Sequence, residues 1–89
     1  MNEFLIINYL NNLDKNYLNN LALQNNIILS IEELDYVYKT LKKDYKKLLS
    51  NEYEEIFNNS KNFLSNENQQ KIYNLYLKYR NIYKNFFDL

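Results

Sequence analysis

The sequence predicts an all-α fold: one domain over residues 1–89, a compact bundle of about five helices joined by short Asn-rich turns. Three observations carry that expectation. Apolar residues recur at three- and four-residue spacing along most of the chain, which is the period of an amphipathic helix. Two stretches open with a capping residue followed three positions later by Glu, namely Ser30 with Glu33 and Asn51 with Glu54. The chain contains no Gly and no Pro, and its 18 Asn fall often in pairs between the periodic stretches. Asn is the residue that, after Gly, best tolerates the positive φ that tight turns need.

The elements follow in order. The first, "EFLIINYL", is expected as a helix over 3–11. It is apolar on every side, so it must be buried or covered by a partner; its period alone would also allow a short strand. In "LDKNYLNNLALQ", Leu13, Tyr17, Leu18, Leu21 and Ala22 share a face of a helix over 13–24, and Asn25 and Asn26 form its stop. The third helix spans 31–48. It starts with the Ser30/Glu33 capping box and a Leu29–Leu34 hydrophobic staple. Its apolar residues Ile31, Leu34, Val37, Tyr38, Leu41, Tyr45 and Leu48 lie within an arc of about 120° at 100° per residue. The fourth, 51–64, gathers Tyr53, Ile56, Phe57, Phe63 and Leu64 with Ser60 among them. The last, 66–86, starts from a Ser65 or Asn66 cap and carries Ile72, Leu75, Tyr76, Tyr79, Ile82, Tyr83 and Phe86. Some 20 helical residues would be about 30 Å long.

Composition narrows the function classes. Without Cys there is neither disulfide nor thiolate metal site, and without His the commonest general base and transition-metal ligand are missing. Without Gly no phosphate-cradling loop can form. The acidic pairs Glu32/Glu33 and Glu54/Glu55 diverge on their helices and suit first turns, where negative charge complements the helix dipole. No catalytic, cofactor-binding or metal-binding residue is therefore expected, and no cofactor. The opening "MNEFLIINYL" has no basic leader and no small-residue cleavage site, unlike a signal peptide. No run approaches about 18 apolar residues, so no membrane span is expected. A cytoplasmic, non-enzymatic protein is the expectation. The wealth of Asn, Lys, Tyr, Ile and Phe, against a single Ala, points to an AT-rich bacterial genome.

Two surfaces are candidates for binding. The stretch "YVYKTLKKDYKKL" packs five lysines among three tyrosines. On a helical wheel Tyr38 and Tyr45 fall within the apolar arc, and only Tyr36 sits among the lysines. A basic face of Tyr36, Lys39, Lys43 and Lys47 could meet nucleic acid, with Tyr36 stacking on a base; the bland reading is a solvated helix face, supported by the Asp35–Lys39 spacing. Charge alternates along the chain, −4 over 1–35, +4 over 36–50, −3 over 51–70 and +3 over 71–89. That balance opposes the uncompensated positive field a nucleic-acid binder uses. The second surface is Tyr73, Leu77, Arg80, Lys84 and Phe87, a set rich in protein hot-spot types; its bland reading packs Tyr73 and Leu77 against the first helix. A helix-turn-helix reading of "LNNLALQNNIILSIEEL" is opposed by Glu32 and Glu33 at the tip of its second helix. The expected function is thus protein–protein contact, as an adaptor, regulatory or inhibitory module whose partner the residues do not name. The alternative is a nucleic-acid-associated regulator using the lysine face. A homodimer through the terminal helices is also expected, because an 89-residue monomer would struggle to cover the apolar residues of both.

The stretches "IIN", "LNNLALQNNIILSIEELDYVYKTLK" and "EYEEIFNNSKNFLSNENQQKIYNLYLKY" together resemble the YqfT-like family, small uncharacterised proteins of low-GC Gram-positive bacteria. The resemblance covers about 75 of the 89 residues and consists of hydrophobic spacings; between them, "KKDYKKLLSN" departs from the family pattern. It implies a small cytoplasmic bacterial protein and assigns no site residue. A fainter resemblance, in length and helical content, is to the bacteriocin immunity proteins, which are four-helix bundles.

Overall fold

The computed structural model describes residues 8 and 11–82, and among these the fold is all-α, with five helices and no strand. The helices are α1 (Lys15–Gln24), α2 (Ile31–Lys43), α3 (Tyr45–Leu48), α4 (Tyr53–Ser60) and α5 (Asn66–Ile82). Of the expected first helix, only Asn8 and Asn11 belong to the described residues, and both are helical. The remainder of 3–11, and positions 83–86 of the last helix, lie outside them. The chain divides between Lys43 and Asp44 into two compact units. No helix among the described residues is long and apolar enough to cross a membrane.

In the first unit α1 packs against α2. The Asp14 side chain caps α1 by accepting a hydrogen bond from the Tyr17 amide at 2.7 Å. The asparagine stop at the other end is a Schellman motif. Asn26 takes φ 61°, its amide donates to the Leu23 carbonyl at 3.1 Å, and the Ile27 amide donates to the Ala22 carbonyl at 2.9 Å. The following Ile27 is 2% exposed and sits in the unit's interior with Leu13, Leu18 and Ala22. The capping box then starts α2: the Ser30 amide donates to Glu33 Oε1 at 3.0 Å and the Glu33 amide to Ser30 Oγ at 3.1 Å. Six residues, 25–30, thus hold both the capped end of α1 and the capped start of α2.

Two apolar positions of the first unit depart from the expected stripes, as do Tyr79 and Ile82 of α5, which are both exposed. Tyr17 is exposed although Leu13, Leu18 and Ala22 of its face are buried, and Ile31 is 86% exposed although Leu34, Val37, Tyr38 and Leu41 of its face are half-buried. Ile31 is the first residue of α2.

The expected helix over 31–48 breaks at Asp44, which has φ −110° and ψ 21° and separates α2 from the single turn of α3. Apolar spacing runs through this position unbroken, but Asp is a poor residue for a helix interior and favours the position before a helix start. Asp44 occupies that position for α3, without a side-chain cap bond.

In the second unit α3 packs on α4 and α4 on α5. Helix α4 is shorter than the expected 51–64, for reasons visible at each end. Asn51 does not cap it, because its side-chain oxygen accepts from Arg80, and the amide of Glu52 donates instead to Ser50 Oγ at 3.0 Å. At the far end Ser60 Oγ donates to the Phe57 carbonyl at 2.6 Å, a local bond that competes with the helical ladder. The chain leaves through i→i+3 bonds, Asn62 to Asn59 and Phe63 to Ser60. This turn puts Leu64 inside and Phe63 outside, so the two do not share a face as expected. Ser65 is the cap of α5, its Oγ accepting from the Asn68 amide at 3.1 Å.

Candidate functional site

The expected partner surface does not assemble as one. Arg80 is 8% exposed, which corrects its placement there. Its Nη1 donates to the Tyr76 hydroxyl at 3.0 Å and to the Leu48 carbonyl at 3.3 Å, its Nη2 donates to Asn51 Oδ1 at 3.2 Å, and its Cζ lies 4.4 Å from the centroid of the Tyr53 ring. The Tyr76 hydroxyl donates to the same Leu48 carbonyl. One guanidinium on α5 therefore gathers the end of α3, the following turn and the start of α4. The fixed planar fork of Arg suits such a junction, because one side chain supplies several directed donors and a face for an aromatic ring. Burial pushes the Tyr76 hydroxyl above its ordinary pKa, while the hydrogen bond from Arg80 works the other way.

Tyr73 and Leu77 are half-buried. The Tyr73 ring meets Phe57 edge-on at 4.9 Å between centroids, and its hydroxyl donates to Glu54 Oε1 at 3.2 Å, so these contacts of Tyr73 are with α4; most of the first helix named in its bland reading lies outside the described residues. Burial first, and the neighbouring Glu54 carboxylate second, raise the pKa of that hydroxyl. Lys84 and Phe87 lie outside the described residues. So does most of the terminal apolar surface on which the expected homodimer depends.

The basic face is divided as well. Tyr36, Lys39 and Lys43 belong to α2 in the first unit and Lys47 to α3 in the second, so no single helix carries the four. Within the first unit Asp35 holds two ammonium groups, Lys15 on Oδ1 at 2.7 Å and Lys39 on Oδ2 at 2.9 Å. Hydrogen bonds from Lys15 and then Lys39 hold the Asp35 carboxyl below its ordinary pKa. The Tyr38 ring faces Lys42 at 4.9 Å and Lys15 at 5.5 Å from its centroid. Lys47 pairs with Glu55 at 3.1 Å, a contact that raises the lysine's pKa. Tyr36 is half-buried, and Lys43 is exposed. Lys47 is thus paired with a carboxylate of its own unit, Lys39 shares the Asp35 carboxylate with Lys15, and Lys42 leans on a tyrosine.

Sequence periodicity missed a third feature. Leu23, Ile28 and Ile31 are exposed around the α1–α2 connection, Ile28 at 77%. The run "NNIILSI" contained the signal: of its four large apolar residues Ile27 is buried and Leu29 half-buried, while Ile28 and Ile31 are exposed.

These features define a small all-α protein whose charged side chains serve largely as internal ties. Compared with known proteins, the chain matches no family model, no curated protein and no solved structure.

Proposed function

We propose that this chain acts without catalysis, through protein–protein contact, as an adaptor, regulatory or inhibitory module in the cytoplasm, the setting its family resemblance implies. The observation that supports this reading is the α1–α2 corner. A Schellman motif and a capping box fix the backbone on both sides of it, so Ile28 and Ile31 are held out from a rigid support. Large apolar side chains fixed in water favour burial against a partner, at about 25 cal/mol per Å² covered. Little ordering entropy opposes that step, because the caps have already fixed the segment. The nucleic-acid alternative loses support from the carboxylate pairing of Lys39 and Lys47.

The test compares the full chain with an Ile28→Ser, Ile31→Ser double variant in capture from nuclease-treated bacterial lysate. Both positions are exposed, so the variant is expected to keep the helical circular dichroism of the original. A protein retained by the original chain and lost by the variant supports the reading. Capture that disappears with nuclease and ignores the two substitutions rejects it in favour of nucleic acid.

A further inference from the structure

The second unit contains a cavity of about 260 Å³ between α4 and α5, half open to solvent. Drug-sized ligands occupy pockets of roughly 300–1,000 Å³, so this one suits a group the size of a single long side chain. Its lining combines aromatic surface with acceptors. Phe57 is buried, and Tyr73 stands against it. Glu54 presents a carboxylate that accepts the Tyr73 hydroxyl through Oε1. Gln69 also lines the cavity; its side-chain amide donates to the Phe57 carbonyl at 3.2 Å, and its side-chain oxygen has acceptor capacity. Lys61 is the one basic residue among the described lining residues, and it is exposed. The surrounding stretch 51–70 carries −3.

We infer that this cavity is a binding site for an alkyl guanidinium group, an arginine side chain of a peptide or a free arginine-like amine. A guanidinium is planar, weakly hydrated and rich in donors, so it can lie against the Phe57 and Tyr73 rings while donating to Glu54 and Gln69. An anion would meet the Glu54 carboxylate, and a wholly apolar group would leave the Gln69 oxygen without a donor. The site belongs to the second unit and stands independently of the reading drawn from the α1–α2 corner.

The experiment is a nuclear magnetic resonance titration of the full chain, following the side-chain amides of Gln69 and Gln70. Three probes are compared: N-acetyl-arginine methylamide, the citrulline compound of the same shape without charge, and a five-residue peptide with one arginine. The arginine compound is expected to shift both amides, with citrulline roughly tenfold weaker. Glu54→Gln, at an exposed position, is expected to weaken binding by about two- to fivefold, the range of a solvent-exposed ion pair. Lys61→Gln removes a repelling charge and is expected to tighten it. A peptide at least tenfold tighter than the single residue supports a peptide-borne guanidinium, and equal affinities support a free one. Citrulline binding as well as arginine, weakening by Lys61→Gln, or shifts that do not reach Gln69 and Gln70 would each overturn the assignment.

Discussion

In the first unit every buried side chain among the described residues is apolar, whereas the second sets Ser60, Asn68, Gln69 and Arg80 beside Leu48, Phe57 and Leu64. The difference shows in how the helices are joined. Burial of Leu13, Leu18, Ala22 and Ile27 is non-directional and tolerates small shifts of α1 on α2. The Arg80 junction is directional: Leu48, Asn51, Tyr53 and Tyr76 must all be in place for its bonds to close. Such a junction is costly to leave incomplete, and among the described residues no buried side-chain nitrogen or oxygen lacks a partner.

The largest expected effect is at Ile27. Truncating the most buried residue of an apolar interior by Ile27→Ala is expected to cost about 2–5 kcal/mol, from lost transfer energy and the cavity left behind. Amide hydrogen exchange resolves where that cost falls. Protection is expected to drop over 15–43 and to hold over 45–82. Equal loss in both ranges would show that the stability of the second unit depends on the first, and the contrast between them would weaken.

Arg80→Ala comes next, at about 2–3 kcal/mol, since it removes the bonds of a buried guanidinium and the packing of its side chain against Tyr53. Exchange protection is then expected to fall in 45–82 instead. Arg80→Lys makes the comparison sharper. An ammonium keeps the charge but lacks the fork, so it is expected to recover only a minor part of the loss. Full recovery by Lys would mean that charge rather than directed geometry joins α3, α4 and α5.

The same contrast explains what could be read from residue order. The caps at Asn25–Asn26, Ser30–Glu33 and Ser65 were legible because capping is local chemistry, decided by residues three to five apart. In the first unit Leu13, Leu18 and Ala22 were legible because period and burial coincide there, whereas Tyr17 and Ile31 of the expected stripes are exposed and the deeply buried Ile27, in the connection, belonged to no stripe. Arg80 was not, because pattern reading sends charged residues outward. Yet at 100° per residue Arg80 falls about 40° from Tyr76, between it and Tyr73, inside the arc that faces α4. An arginine within an aromatic arc was the available signal. The break at Asp44 left a fainter trace, one poor helix former inside an otherwise continuous stripe. The α4–α5 cavity had none, because its lining joins residues from two helices and the turn between them.

A smaller effect separates the units at high pH. Burial raises the Tyr76 hydroxyl above its ordinary 10.0, so the neutral form is favoured in the fold. Its contribution is complete below that ordinary value and is lost as pH rises through the higher folded one. Thermal unfolding of the original chain is expected to weaken with pH above about 10. A Tyr76→Phe variant has no proton to lose there, and its curve is expected to fall less steeply. Parallel curves would remove Tyr76 from the alkaline response.

The smallest effect belongs to the first unit and has the opposite sign in pH. Lys15 and Lys39 hold the Asp35 carboxyl below its ordinary 3.8, so the ionised form is favoured in the fold. Its contribution is complete above 3.8 and is lost as pH falls through the lower folded value. The carboxylate is open to solvent, so water and salt screen the pair, and the gain is of the order found for surface ion pairs. Asp35→Asn removes both ammonium contacts at once. The variant is expected to melt slightly below the original chain at pH 7 in low salt. The two are expected to coincide near pH 2, where the original carboxylate is also protonated, and to draw together at pH 7 in high salt. Melting curves at those three conditions decide the matter. A difference that persists at pH 2 would assign the role of Asp35 to packing or hydrogen bonding rather than charge. No difference under any of the three would leave apolar packing, rather than the charge on Asp35, as what joins α1 and α2.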